Sequence, residues 1–231
     1  MHSVLLAGLA RDRQDGTGFG TRLSEACVDV VGVTGAGIML MIDEHNLASL
    51  ANSDRVSGVV EELQFTFGEG PCVDAYRTGR PVLERDLAHP VMLRWPAFSA
   101  AALDAGVLAI FGFPLQIGAV RLGALDLYCD HPGDLDRDQL SDALVLADAV
   151  THELLAVQAS AEPGVLGAGL EDVTNLRVAV HQASGMVSVQ LNIPIGDALV
   201  RLRAYAYAEG RPINDVARDV VARRLRLDEQ H

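Results

Sequence analysis

Lysine is absent from the sequence: all 18 basic residues are arginine, and 31 acidic residues bring the net charge to −13. Cysteine is scarce as well, with three widely spaced residues, Cys27, Cys72 and Cys129, and no C-x-x-C pair. An odd number of isolated cysteines fits neither a disulfide framework nor a zinc site, so we expect free thiols.

Long apolar runs are also missing. The longest, residues 105–115, contains a proline and is shorter than the roughly 20 residues that cross a bilayer. Residues 4–10 are apolar, but no basic residue precedes them and Arg11 follows at once, so they do not fit a secretory signal. With 49% hydrophobic residues, we expect a packed globular protein in the cytoplasm.

The acidic charge is unevenly distributed. Residues 1–176 hold 10 arginines and 25 acidic residues, a net charge of −15, whereas residues 177–231 hold 8 arginines and 6 acidic residues, a net charge of +2. The first part would repel a nucleic acid, and the second part would tolerate one.

Hydrophobic periodicity and turn residues predict the order of elements in the first part of the chain. Asp54 is expected to cap a helix that stops before Gly68, and a short helix should begin at Pro71 and end at Gly79. The predicted strands cover 36–42, 47–51, a segment from Val82, 107–115 and 122–128. This order predicts an α+β fold, an antiparallel sheet flanked by helices.

A long helix is predicted from residue 136, because apolar residues recur every three or four positions at Leu140, Leu144, Ala147, Val150, Leu154 and Val157. The first three could form a dimer interface or pack on the core, and the sequence leaves both open. Residues 159–169 carry a proline and three glycines and are predicted to link a domain of residues 1–158, with a core from about residue 20, to one of residues 170–231. The latter should contain helices at 170–189, 195–209 and 212–227.

Three segments of the first domain, GEGPCVDAYRTGRPV, RWPAFSAAALDAGV and FPLQIGAVRLGALDLYCDHPGDL, resemble GAF domains of actinobacterial regulators. The resemblance spans about residues 20–158 and implies a GAF-type sheet that binds a small molecule or dimerises. It does not identify the ligand, and we predict no particular cofactor. The NKFDE-type pattern of cyclic-nucleotide-binding members is absent, which disfavours a cyclic nucleotide.

Cys72 is a candidate ligand-binding residue with two interpretations. In the first turn of a helix its pKa could be lowered, as in a redox sensor or a thiol reductase. We favour the other interpretation, a small apolar residue packed beneath the sheet. His45, His89 and His131 are expected to be solvated loop residues rather than metal ligands. No catalytic constellation is apparent, so we do not predict an enzyme.

The helix predicted at 195–209 places Arg201 one turn before Tyr205, and Arg203 one turn before Tyr207, on opposite flanks of an apolar stripe. These pairs could be ordinary solvated rim residues. They could also stack on unpaired bases and contact phosphates, as proteins that bind RNA loops do.

Residues 171–227, including RVAVHQASGMVSVQLNIPIGDALVRLRAYAYAEGRP, resemble an ANTAR domain, a three-helix antiterminator module. The matches are Ala183, Gly185, Met186, Ala198, Leu202, Arg203, Ala206, Val216 and Ala217, whereas Ser184 and Leu199 depart from the pattern. The resemblance implies binding of paired stem-loops in nascent RNA by a homodimer. The predicted RNA-binding residues are Ala183, Gly185, Ala198, Arg201, Arg203, Tyr205 and Arg218. The small residues could instead serve tight helix crossing.

The two resemblances together predict a transcription antitermination regulator, in which a signal changes dimerisation or frees the Arg201 face from the acidic domain. Two alternatives remain open. A DNA-binding regulator would prefer duplex DNA over stem-loop RNA. A thiol redox sensor or reductase would depend on Cys72.

Overall fold

The computed structural model describes residues 19–43, 46–159 and 178–227. The predicted linker, from residue 160 onward, lies outside the described residues. The elements run α1 (Phe19–Val31), β1 (Gly35–Asp43), β2 (Asn46–Asn52), α2 (Arg55–Phe67), α3 (Pro71–Thr78), β3 (Val82–Glu84), α4 (Pro96–Asp104), β4 (Ala109–Ile117), β5 (Val120–Cys129), α5 (Arg137–Ala159), α6 (Val178–Leu191), α7 (Ile195–Ala208) and α8 (Ile213–Val221). We refer to the part from α1 to α5, which includes all five strands, as the sheet unit, and to the part from α6 to α8 as the three-helix unit.

The sheet has five antiparallel strands in the order β2-β1-β5-β4-β3. Side chains alternate between its two faces, as the period of two requires. Leu125 and Leu127 of β5 join the core beneath α1 and α5, whereas Ala124 and Tyr128 join the core beneath α2, α3 and α4. The predicted antiparallel sheet flanked by helices is therefore confirmed.

The predicted caps of α2 and α3 are confirmed. Asp54 accepts a hydrogen bond from the Ser57 amide at 2.7 Å, and the Ser57 hydroxyl accepts one from the Asp54 amide, which makes a capping box. Gly68 and Gly79 follow the two helices with φ of 67°, a left-handed conformation that glycine adopts without strain. Pro71 occupies the first turn of α3, where its missing amide hydrogen leaves no bond unmade.

The buried face of α5 includes only part of the apolar stripe predicted from the sequence. Its core-facing residues include Ala143, Leu146, Ala147 and Val150, whereas Leu144 is 46% exposed. Of the two roles left open for Leu144, packing on the core is therefore excluded within the described chain, because α5 packs against both β4 and α1. That double contact turns its buried face toward the side of Ala143.

The three-helix unit has its own apolar core. The helix predicted at 212–227 is present, but it ends at Val221, so its predicted C-terminal end was wrong. Arg223 adopts a left-handed φ of 57°, and the amides of Arg224 and Leu225 both donate to the Asp219 carbonyl, which closes the helix end. The chain then turns back and buries Leu227. Within the described ranges, no helix is long and apolar enough to span a membrane.

Candidate functional site

A buried carboxylate lies at the centre of the sheet. Asp126 of β5 points to the side of α2 and α3, and its register partners on the two neighbouring strands are Gly37 of β1 and Gly112 of β4. A Cβ at Gly37 would lie 2.6 Å from Glu61 Oε1, and a Cβ at Gly112 would lie 2.7 Å from the Pro71 carbonyl oxygen. The two glycines therefore allow α2 and α3 to approach the sheet beside Asp126.

Gln64 of α2 connects this carboxylate to α3. Its Nε2 donates to Asp126 Oδ2, and its Oε1 accepts a hydrogen bond from the Cys72 amide at 2.8 Å. We name Glu61, Gln64, Cys72 and Asp126 the acid cluster. Asp126 Oδ1 has no hydrogen-bond partner among the described residues, and a buried acceptor without a partner is energetically unfavourable. The cluster therefore offers an oxygen that a bound donor or a proton would satisfy.

Burial dominates the acid–base behaviour of the acid cluster. It raises the pKa of Asp126 to about 7, although hydrogen bonds with Cys72 and Gln64 act in the opposite direction. Burial also raises the pKa of the Cys72 thiol, and the charges of Asp126 and Glu61 raise it further. The raised pKa of the thiol is opposite to the lowered value that the redox alternative needs, and it agrees with the packing role that we favoured from the sequence. Cys72 instead fills space beneath the sheet.

Glu61, Gln64 and Asp126 were not predicted as site residues from the sequence. One signal was present: Asp126 interrupts the apolar strand segment LGALDLYC at a position that alternation places inside the protein. A buried aspartate is rare unless it is paired or functional. No pattern in the sequence predicts that Gln64, which is 62 residues away, reaches it.

A second site is the contact between the end of α2 and the three-helix unit, which we name the docking contact. Arg203 Nε of α7 donates to the Phe65 carbonyl oxygen at 2.9 Å, and the guanidinium lies 5.5 Å from the Phe65 ring centroid. The last four carbonyls of a helix have no intrahelical partner and carry partial negative charge. Arg203 therefore caps the C-terminus of α2 from another unit of the chain.

Packing extends the docking contact on both sides. The Phe65 side chain is fully buried in the apolar core of the three-helix unit. Phe67 and Tyr207 meet edge to face with ring centroids 5.6 Å apart, and Asn214 of α8 donates to Glu62 Oε1 at 3.3 Å. Helix α2 thus supplies side chains to the acid cluster and to the docking contact within two turns.

The structure separates the predicted RNA-binding residues into different environments. Ala183 and Ala198 are fully buried where helices cross, which is the structural use foreseen for small residues. Gly185 is partly exposed, and Tyr205 packs against the core at its edge. Arg201 is exposed, and so is Arg218, which pairs with Asp215 at 2.8 Å. Of these residues, Arg203 takes part in the docking contact described above.

Three histidines were predicted to be solvated loop residues rather than metal ligands. His89 and His131 are exposed beside Asp86 and Asp130, and His45 lies outside the described residues. In the part of the chain that the structure describes, no three or more His, Cys, Asp or Glu side chains are grouped to hold a metal ion.

The antiparallel sheet, with helices on both faces and a buried polar cluster beneath it, defines a sensor-type fold. The GAF domain family matches residues 18–154, and the chain belongs to this family, whose fold is found in signalling proteins. The match ends before the three-helix unit. No match to a curated protein sequence was found.

Solved structures support the same fold. The GAF domain of a phosphoenolpyruvate-protein phosphotransferase from Coxiella burnetii is 15% identical, with 67% of this chain and 93% of that chain covered and a TM-score of 0.51. Free methionine-R-sulfoxide reductase from Neisseria meningitidis, in complex with its substrate, is 18% identical, with 68% and 87% covered and a TM-score of 0.51. At these identities the similarity concerns the fold alone.

Proposed function

We propose that this chain is a transcription antitermination regulator: its GAF domain senses a signal and controls a three-helix unit that binds stem-loop RNA as a homodimer. The resemblance of residues 171–227 to an ANTAR domain supports the RNA-binding part. The net positive charge of the C-terminal part agrees with it, since RNA binding needs cations near the phosphates. No catalytic role is assigned.

The observation that carries the proposal is the docking contact. Arg203 is one of the positions at which the chain resembles an ANTAR domain, and its side chain donates to the Phe65 carbonyl of the GAF domain. Tyr207 lies against Phe67 of the same helix. The contact thus engages the flank of α7 that carries Arg203, whereas we expected the Arg201 flank. In the proposed mechanism, undocking makes Arg203 and Tyr207 available for phosphate contact and base stacking.

The acid cluster is the proposed origin of the signal. A ligand or proton that satisfies Asp126 Oδ1 changes the hydrogen bonding of Gln64, which precedes Phe65 in α2. A shift of α2 alters the docking contact because Phe65 and Phe67 belong to the same rigid helix. The sensing step and the release step therefore use one structural element.

Fluorescence anisotropy tests this function with full-length protein. The probes are a pool of paired stem-loop RNAs with randomised loops, the same stems with loops replaced by a flexible spacer, and duplex DNA of equal length. We expect loop-dependent binding that weakens with salt. Preference for duplex DNA would favour the DNA-binding alternative, and binding to none of the probes would refute the proposed function.

The Glu62→Ala variant tests control by the GAF domain. It removes the acceptor of the Asn214 amide from the GAF side and replaces none of the predicted RNA-binding residues. We expect severalfold tighter RNA binding, with Glu25→Ala on the exposed side of α1 as the matched control. Unchanged affinity in both variants would argue against control through the docking contact.

The homodimer is proposed because paired stem-loops require two modules. Leu144, Val145 and Leu155 leave apolar surface exposed along α5, which suits a contact between two copies. Sedimentation velocity of Leu144→Ser should show a monomer if α5 forms that contact, whereas a dimer of unchanged stability would exclude this surface.

A further inference from the structure

A groove of about 840 Å³ lies on the three-helix unit, between α6 and the turn that follows α8. We name it the helical groove. Its apolar part includes Met186, Val189 and Val221, and Val189 is 84% exposed. Its polar rim includes Gln190, Arg223 and Arg226. The volume is in the range of sites that bind small molecules.

Gly185 lines the helical groove and has no packing role among the described residues. A Cβ at this position would meet no atom within 4 Å outside its own helical turn. Glycine inside a helix costs about 1 kcal/mol relative to alanine. At Ala183 a small side chain allows helices to cross closely, but at Gly185 no neighbouring helix in the described part of the chain requires it. The missing side chain at Gly185 instead leaves space in the groove.

The two arginines at the rim differ from the other arginines of the unit. Arg211 and Arg224 pair with Asp219, and Arg218 pairs with Asp215. Arg223 and Arg226 are exposed and form no ion pair within the described residues. The left-handed backbone at Arg223 turns the chain so that both arginines lie beside the groove. Among the residues that the structure describes, the rim thus presents two cations without a carboxylate partner.

The amide side chain at the rim is held in position. Gln190 Nε2 donates to the Leu227 carbonyl oxygen, so its orientation is fixed by the chain that turns back after α8. A fixed amide can hydrogen-bond the edge of a nucleobase, an apolar wall can contact its face, and guanidinium groups can bind the adjacent phosphates. These three elements together are what a site needs in order to bind an unpaired nucleotide.

We infer that the helical groove receives an unpaired base of an RNA loop, with Arg223 and Arg226 contacting the flanking phosphates. This inference rests on the proposed RNA-binding function and locates the loop on α6 and the end of α8. The docking contact uses Arg203 and Asn214, which are not among the residues that line the groove. Base insertion and docking are therefore separate events.

The test uses full-length protein and a stem-loop RNA selected from the randomised pool by the wild type. Gly185→Leu fills the groove and Gly185→Ala is its matched control, since one methyl group meets no neighbour. Both changes favour the helix, so thermal unfolding should confirm that both variants are folded. We expect Gly185→Leu to lose affinity by on the order of tenfold, the contribution of one stacked base, whereas Gly185→Ala stays near wild type.

Abasic substitutions along the RNA loop supply a double-mutant cycle. Removal of the inserted base should weaken binding to the wild type but have little further effect on Gly185→Leu. The inference would be overturned if the affinity losses from the abasic RNA and from Gly185→Leu were independent and multiplied, or if Gly185→Leu kept wild-type affinity. Either result would leave the proposed function intact. A change of self-association without a change of RNA affinity would also overturn it, by making the groove an interface between copies.

The phosphate contacts have an independent readout. Arg223→Ala and Arg226→Ala should each reduce the slope of log affinity against log salt by roughly 0.7, the value for one contact to a single strand. Arg80→Ala, an exposed arginine of the GAF domain, should leave the slope unchanged. If Arg223→Ala and Arg226→Ala kept the wild-type slope, as Arg80→Ala should, the phosphate assignment would be overturned. If the wild type binds no RNA in the pool, the proposed function fails, and this inference fails with it.

Discussion

Arg203 donates its Nε–H to the carbonyl oxygen of Phe65, 138 residues earlier in the chain, at 2.9 Å. The bond joins the helix that resembles an RNA-binding element to the last turn of a sensor helix. A cation at a helix C-terminus also interacts favourably with the helix dipole. This one side chain is therefore suited both to docking and to binding a phosphate.

Loss of this bond should loosen the end of α2. Arg203→Ala is expected to weaken the docking contact by about 1.5 kcal/mol, the lower end of the range for a hydrogen bond that involves a charged group. Amide hydrogen exchange should become faster in the last turn of α2 and along α7. Arg201→Ala, on the exposed flank, is the control. Equal protection in both variants would contradict a stabilising role for the bond.

Gly68→Ala should displace Arg203. The new Cβ would lie 2.7 Å from Arg203 Nη1, and φ of 67° is strained for alanine. Gly118→Ala is the matched control, because its φ is 57° and its Cβ would meet no atom within 4 Å. We expect both variants to lose about 1 kcal/mol from backbone strain, while only Gly68→Ala changes RNA affinity. If Gly68→Ala and Gly118→Ala bound RNA with equal affinity, the position of Arg203 would have no influence on RNA binding.

Asp126→Asn should change how stability depends on pH. Because the folded-state pKa of Asp126 is raised to about 7, its proton stabilises the folded state fully below the unfolded pKa. That contribution decreases as the pH rises and is lost above about pH 7. The Cys72 thiol and the Gln64 amide both hydrogen-bond Asp126 and lower its pKa, but the effect of burial is larger.

Urea unfolding at pH 5 and pH 8 measures this effect. Wild type should lose stability between the two values by an amount on the order of a few kcal/mol that Asp126→Asn does not lose. Asp104→Asn, at an exposed position in α4, should behave as wild type. The same pH dependence in Asp126→Asn and wild type would show that Asp126 is not the group that titrates.

Phe65→Leu should disturb both units of the chain at once. The ring is fully buried between α2 and the three-helix unit, so its loss leaves space in a shared core. We expect a loss of about 1–2 kcal/mol and faster hydrogen exchange in both units. Phe98→Leu, equally buried but within the sheet unit, should affect that unit alone. An effect of Phe65→Leu confined to α2 would disprove the shared core.

Local chemistry explains which elements could be predicted from the sequence. Asp54, Gly68, Pro71 and Gly79 fix helix ends through bonds and dihedral angles within a few residues, so their positions follow from sequence alone. The exposure of Leu144 could not be predicted in this way, because the orientation of α5 depends on helices and strands far along the chain. The same applied to the end of α8, where Arg223 leaves the helical conformation while Leu227 packs on the core.

The candidate sites depend still more on tertiary structure. Cys72 was singled out from its place in a helix, but its raised pKa comes from burial and from Asp126, which is 54 positions later in the chain. Arg203 was singled out by its spacing from Tyr207, but its partner is a backbone carbonyl. Backbone atoms occur at every residue, so no sequence pattern identifies Phe65 as that partner.

Gln64 and Phe65 are adjacent residues of one helix, yet one reaches the carboxylate beneath the sheet and the other the core of the three-helix unit. Successive residues of a helix differ in direction by about 100°, so this pair fixes the angle between the two destinations. Inserting one residue between them would rotate the docking side chains by that angle while leaving Gln64 in place. A change in the length of this helix would therefore misalign the acid cluster and the docking contact, whereas replacing a side chain changes one contact and keeps the direction of the other.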